Sequence, residues 1–135
     1  MKKQILEKIK MHNVCVLATC LKDKTEAAAM NFVVDDNFIF YLQTSRLYRK
    51  YRNLVKNKNV SLVIGFKMPC VQIDGIAEFL KPEEIEIIKP FMIEKLPDSE
   101  GFIKSRETVF IKVKPKFLRM TDFIKGNYKF NEIKF

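Results

Sequence analysis

Three apolar stretches, separated by turns too short to hold a helix, most constrain what this chain can fold into. Val14–Leu21 is apolar and carries several β-branched residues, and residues 26–34 and 38–42 follow it. Only Lys22-Asp23-Lys24-Thr25 lies between the first two, and only Asp35-Asp36-Asn37 between the second pair. Parallel strands need a crossover of about a dozen residues or more, so connections this short join antiparallel neighbours. The stretches therefore predict a three-stranded meander with hairpin turns. Its middle strand is the weakest β-former, because it contains Ala27-Ala28-Ala29.

The rest of the chain extends this β pattern. Residues 4–11, with apolar positions 5, 6 and 9, predict a short helix before the meander. After it, Thr44 and Ser45 are good N-cap types and predict a helix to about Asn57. Leu47, Tyr51, Leu54 and Val55 would form its apolar face, and Arg46, Arg49, Lys50 and Asn53 its polar one. Strands are predicted over 59–66 and 71–80, with Lys67-Met68-Pro69 as the turn between them. In the second, Val71, Ile73, Ile76 and Phe79 are inward candidates and Gly75 marks a bulge. Pro82, Glu83 and Glu84 suit a helix N-terminus, and Pro90 should end or kink that helix near Lys89. Residues 96–106 read as irregular, and 109–120 as the last strand, with Pro115 at an edge or bulge. The basic and aromatic tail, 121–135, has no clear assignment.

Helices and strands do not alternate, which excludes a doubly wound parallel sheet. The expectation is a mainly β fold: a small antiparallel barrel of six strands with two to three helices at its ends. At 135 residues the chain is expected to be a single domain, 1–135. Hydrophobic residues make up 47% and charged residues 30%, which excludes a disordered chain. No apolar run approaches the roughly 18 residues of a membrane span. Lys2, Lys3, Glu7 and Lys8 stand where a signal peptide would be apolar, so a cytoplasmic location is expected. Cys15, Cys20 and Cys70 then read as free thiols. His12 with these cysteines makes a poor zinc set, since no Cys-x-x-Cys pair is present and there is only one His.

The net charge of +9 favours anionic partners. Residues 45–59 hold six basic residues (Arg46, Arg49, Lys50, Arg52, Lys56 and Lys58) and no acid. The start of the helix there offers free N–H groups and a dipole that favours an anion. Thr44, Ser45, Arg46, Arg49 and Lys50 add hydroxyls, guanidinium groups and an ammonium, which together suit a phosphate. The same residues also fit a capped amphipathic helix with a solvated basic face.

Several motifs, in order, resemble the pyridoxamine 5′-phosphate oxidase-like family of FMN-binding split barrels. Val16-Leu17-Ala18-Thr19 matches its early strand, and Phe40 to Thr44, Arg49-Lys50, Asn53-Leu54 and Asn57-Lys58-Asn59-Val60 match its central pattern. Val71 to Glu78 and Phe110 to Pro115 match its later strands. The resemblance implies a split barrel in which Thr44, Ser45, Arg49 and Lys50 hold the FMN phosphate. Asn31 and Phe32 would lie along the isoalloxazine ring, with main-chain groups at its polar edge, and Gln43 near the ribityl chain or ring. It further implies a homodimer with flavin sites at the interface, where the partner's Cys70, Val71 and Gln72 are candidates. The C-terminal Trp and Arg that recognise pyridoxal phosphate in the true oxidase have no counterpart here.

Three functions follow as alternatives. One is an FMN-dependent oxidoreductase acting on a small-molecule substrate. Another is a non-catalytic module that holds flavin or another phosphorylated ligand. The third, nucleic-acid binding through the basic run, is disfavoured because Tyr51 falls on the helix's apolar face and a phosphate site already accounts for the run.

Overall fold

The computed structural model describes every residue from Met1 to Phe135. The chain opens with helix α1, Lys2–Lys10, whose Ile5 and Ile9, one turn apart, are both buried. Strands β1 (Val14–Leu21), β2 (Lys24–Val34) and β3 (Phe40–Ser45) then form the expected meander. A two-residue turn joins the first pair, with Lys22 in the left-handed region at φ 56°. At the second, Asp35 Oδ1 accepts hydrogen bonds from the N–H groups of Asn37 and Ile39. Helix α2 (Arg49–Lys56) follows, then β4 (Asn59–Ile64) and β5 (Cys70–Phe79). Helix α3 (Pro82–Lys95), a 3-10 turn at Pro97–Ser99 and the short helix α4 (Glu100–Ile103) lead to β6 (Thr108–Ile124) and β7 (Asn127–Lys134).

The strands run in the order β3-β2-β1-β4-β5-β6-β7, and β3 pairs also with β6. Six strands thus close into a ring, as expected, and a seventh hangs outside it. Strand β6 makes this possible by its length. Its first part pairs with β3, from Ser45↔Thr108 to Phe40↔Val113, and its last part with β7, from Phe117↔Lys134 to Ile124↔Asn127. The tail left unassigned by sequence is therefore the second arm of a hairpin.

The ring opens elsewhere. β2 pairs with β3 only over Phe32↔Leu42, Val33↔Tyr41 and Val34↔Phe40. Upstream, residues 24–30 pair with β1 alone. Phe32 N–H donates to Asn13 O on the β1 side, so by alternation Thr25, Ala27 and Ala29 turn their main-chain groups to the unpaired edge. This is the split in the barrel.

Phe32, Phe40, Leu42, Leu62, Ile73, Ile111 and Leu118 fill the ring. Their neighbours Val33 and Phe110 point outward and are covered by Ile88 and Met92 of α3, Leu96 just after it and Ile103 of α4, a second core. That packing corrects the expectation at Pro90, which lies inside α3 without ending it. Pro90 forgoes one backbone hydrogen bond, but buried Ile88, Met92 and Leu96 flank it. At roughly 1.5–3 kcal/mol per fully buried side chain, they offset the loss.

Gly75 and Pro115 do mark a bulge. Asp74 pairs with Phe117, but Gly75 pairs with Pro115, so Lys116 of β6 is the extra residue. Because the extra residue is on β6, β5 keeps its alternation. Ala77 faces the core and Ile76 turns outward, contrary to the expectation for Ile76. On β6 the bulge shifts the parity, so Ile111 and Val113 before it and Leu118 and Met120 after it all face inward.

Candidate functional site

The site is built where the chain leaves β3. Thr44 and Ser45 are strand residues, paired with Val109 and Thr108, and not the N-caps that their chemistry suggested. A turn intervenes. Ser45 Oγ accepts the Leu47 N–H at 3.1 Å, and Tyr48 N–H donates to Ser45 O at 3.1 Å. Arg46 is drawn aside, its guanidinium donating to Arg106 O at 3.0 Å. Helix α2 then starts at Arg49 with Tyr48 as N-cap and no side-chain cap. Tyr51 N–H donates to Tyr48 O at 3.1 Å, which leaves the N–H groups of Arg49 and Lys50 for another acceptor.

Two contacts set this N-terminus against the barrel. Leu54 is fully buried in the main core. Asn53 Nδ2 donates to Thr19 Oγ1 at 3.0 Å, with both residues buried. Leu47 and Val55, expected on the apolar face, are exposed. The buried face is narrower, formed by Leu54 and Asn53, with Tyr51 packed on Phe79 at 5.7 Å between centroids.

Between the start of α2 and the split edge of β2 lies a cleft of about 290 Å³. Its walls come from Leu17 and Thr19 of β1, residues 26–28 of β2, and residues 47–50. Arg49 and Lys50 converge there. Lys50 Nζ lies 4.3 Å from the centre of the Tyr48 ring. Burial pushes the Lys50 pKa down, and the charge of Glu26 acts the other way. Arg49 Nε is 3.5 Å from Glu26 Oε2.

The other candidates lie around this cleft in different ways. Thr44 is on the inner face of β3 with Phe40 and Leu42, and Gln43 is on the opposite face. Thr44 Oγ1 and Gln43 Oε1 are the buried side-chain polar atoms with no hydrogen-bond partner. Leaving such a group unpaired costs about 1–3 kcal/mol. Asn31 is exposed on β2, three residues beyond Ala28 and so roughly 10 Å along the strand. The Phe32 side chain is in the core, 5.9 Å from the Phe40 ring, and its N–H donates to Asn13 O, so neither faces the split edge. Val71 is buried in the core and Gln72 is exposed on the outer face. Both are on β5, which does not pair with β1 or β2, so one chain does not bring them to the cleft. His12 is exposed, and its carbonyl accepts a hydrogen bond from Lys95. Sequence reasoning missed Glu26 as a site residue. Only the register Thr19↔Glu26, which puts it on the inner face under α2, reveals it.

Comparisons with known proteins agree with this fold. The sequence matches the pyridoxamine 5′-phosphate oxidase family over residues 1–120. A Listeria innocua structure assigned as a pyridoxamine 5′-phosphate oxidase is 25% identical, with a TM-score of 0.73 over 88% of this chain and 96% of that one. The heme storage protein HutZ of Vibrio cholerae is 17% identical, with a TM-score of 0.70 over 84% of this chain and 86% of that one. A heme binding protein of Mycobacterium smegmatis is 15% identical, with a TM-score of 0.82 over 99% of this chain but 58% of that one. No curated protein matches the sequence. With the split ring, the order of its strands and the family match over most of its length, the chain belongs to the pyridoxamine 5′-phosphate oxidase-like family.

Proposed function

We propose that the chain binds FMN in the cleft between α2 and the split edge of β2 and serves as an FMN-dependent oxidoreductase on a small molecule. The convergence of Arg49 and Lys50 on an uncapped helix start carries this reading. These are phosphate-binding groups at a terminus that favours an anion. The donor set fits a phosphate, and the Thr44 hydroxyl, buried near the end of the strand that leads toward this helix, has no hydrogen-bond partner. Along the split edge, the main-chain groups of Ala27 and Ala29, with Asn31 beyond, offer donors and acceptors to the polar edge of a flavin ring. Bound FMN would supply hydride or electron transfer, while the chain binds and orients it and tunes its electrostatics.

The cleft is small for such a ligand, since pockets for small molecules run from about 300 to 1,000 Å³. A homodimer whose second chain covers the edge would complete it, and the partner would bring the exposed Gln72 and its neighbour Cys70. A module that holds flavin without turnover uses the same residues, and oxidation of a reduced nicotinamide donor separates the two.

The deciding experiment is the visible spectrum of the purified protein, followed by an FMN titration and sedimentation. Flavin bands, or quenching at one FMN per chain in a dimer, are expected. A protein that stays colourless and ignores FMN refutes the reading. A Soret band transfers the cleft to the chemistry named for HutZ and the Mycobacterium smegmatis protein.

A further inference from the structure

We infer that Glu26 is a built-in competitor for the phosphate site: its carboxylate pairs with Arg49 in the free protein, and a phosphate ligand must displace it. This rests on the cleft being a phosphate site. Glu26 is the sole acid in the cleft lining, and the α2 region, residues 45–59, contains none. Its position is fixed by the sheet, because pairing with buried Thr19 places it on the inner face.

The two partners are held differently. The Glu26 side chain is 27% exposed and the Arg49 side chain 75%. The carboxylate is thus part of the wall, while the guanidinium is free to swing. A phosphate at the helix start would take the same guanidinium. It would also bring about −1.5 to −2 units of charge beside the Glu26 carboxylate. The charge of Glu26 also reaches Lys50, whose ammonium is half-buried in the same wall. Glu26 therefore cancels part of the positive charge that Arg49 and Lys50 bring together. The site is tuned to hold its phosphate less firmly than its basic residues allow, and to select for ligands whose remaining contacts make up the difference.

The test compares FMN with riboflavin, which lacks the phosphate. Both are titrated by fluorescence into the wild type, Glu26→Gln and Arg49→Ala/Glu26→Gln, with Arg49→Ala as the reference for the double variant. Glu26→Gln should tighten FMN by roughly two- to fivefold. It should leave riboflavin unchanged and have a much smaller effect without Arg49. Melting temperatures check folding, and Glu26→Ala repeats the measurement if Glu26→Gln does not fold. Unchanged or weaker FMN binding, or an equal shift for FMN and riboflavin, overturns the inference while the FMN reading stands. If neither protein binds FMN, the cofactor reading falls and inorganic phosphate becomes the probe. Tighter phosphate binding by Glu26→Gln then still supports the inference, and equal or absent binding overturns it.

Discussion

Replacing Asn53 with Ala tests how α2 is fixed to the barrel. Asn53 donates to Thr19 Oγ1 at 3.0 Å, and the residues are 5% and 3% exposed. The substitution removes that bond and strands a buried hydroxyl oxygen, a loss of about 1–3 kcal/mol. For a chain of 135 residues this is a fall of roughly 4–12 °C in Tm. Urea denaturation should show a lower midpoint with an unchanged slope. Thr19→Val removes the other half of the pair. Because the double variant leaves no stranded hydroxyl, it should cost less than the sum of the two single changes, with a coupling of about 0.5–3 kcal/mol. FMN affinity should also fall in Asn53→Ala, because Arg49 and Lys50 stand one turn upstream. Additive single and double variants, or an Asn53→Ala midpoint equal to the wild type, would refute the tether.

Lys50→Ala and Arg49→Ala should each weaken FMN binding by about 1–3 kcal/mol, read by fluorescence titration, and unchanged affinity removes the phosphate assignment. Gly75→Ala should destabilise by about 1–3 kcal/mol, because the new Cβ would sit 2.6 Å from Lys114 O and 2.9 Å from Val113 Cγ1. Burial pushes the Cys15 thiol up to about 12, so a thiol-reactive dye should titrate Cys20 in the native protein and reach Cys15 only on unfolding. A hydrogen bond from Lys112, and then one from the Lys81 N–H, holds the Glu84 carboxyl below its ordinary value of 4.5. Its contribution to stability is present above that pH and is lost as pH falls through the lowered value. Glu84→Gln should flatten the acid limb of stability against pH, and an unaltered limb would refute the role.

What the sequence made legible, and what it hid, has a physical pattern. The meander was legible because its turns allow no other connection. The Gly75–Pro115 bulge was legible because each residue has its own backbone reason to be there. Thr44 and Ser45 were misplaced because cap chemistry is local, whereas their strand conformation depends on Val109 and Thr108, more than sixty residues away. Pro90 was misjudged for the same reason, since Met92 and Leu96 find partners only after folding. β7 was invisible because Tyr128 and Phe130 are exposed and only Ile133 on that strand is buried, so no core pattern appears. At the site, Arg49 and Lys50 could be found from motif and charge. Glu26 could not, because its place follows from strand register and from the helix that comes down over it.

The split beside the proposed ligand site is also a hazard of solubility. A strand with bare N–H and C=O groups on one side is a template on which another strand can grow. Ala27 and Ala29 carry no bulk to keep a second backbone away, and the charges of Lys24 and Glu26 guard only one end of the run. Whatever covers the edge therefore does two jobs, completing the cleft and keeping this chain from adding to the sheets of its neighbours. Selection for a good binding cleft and selection against aggregation act on the same seven residues, 24–30.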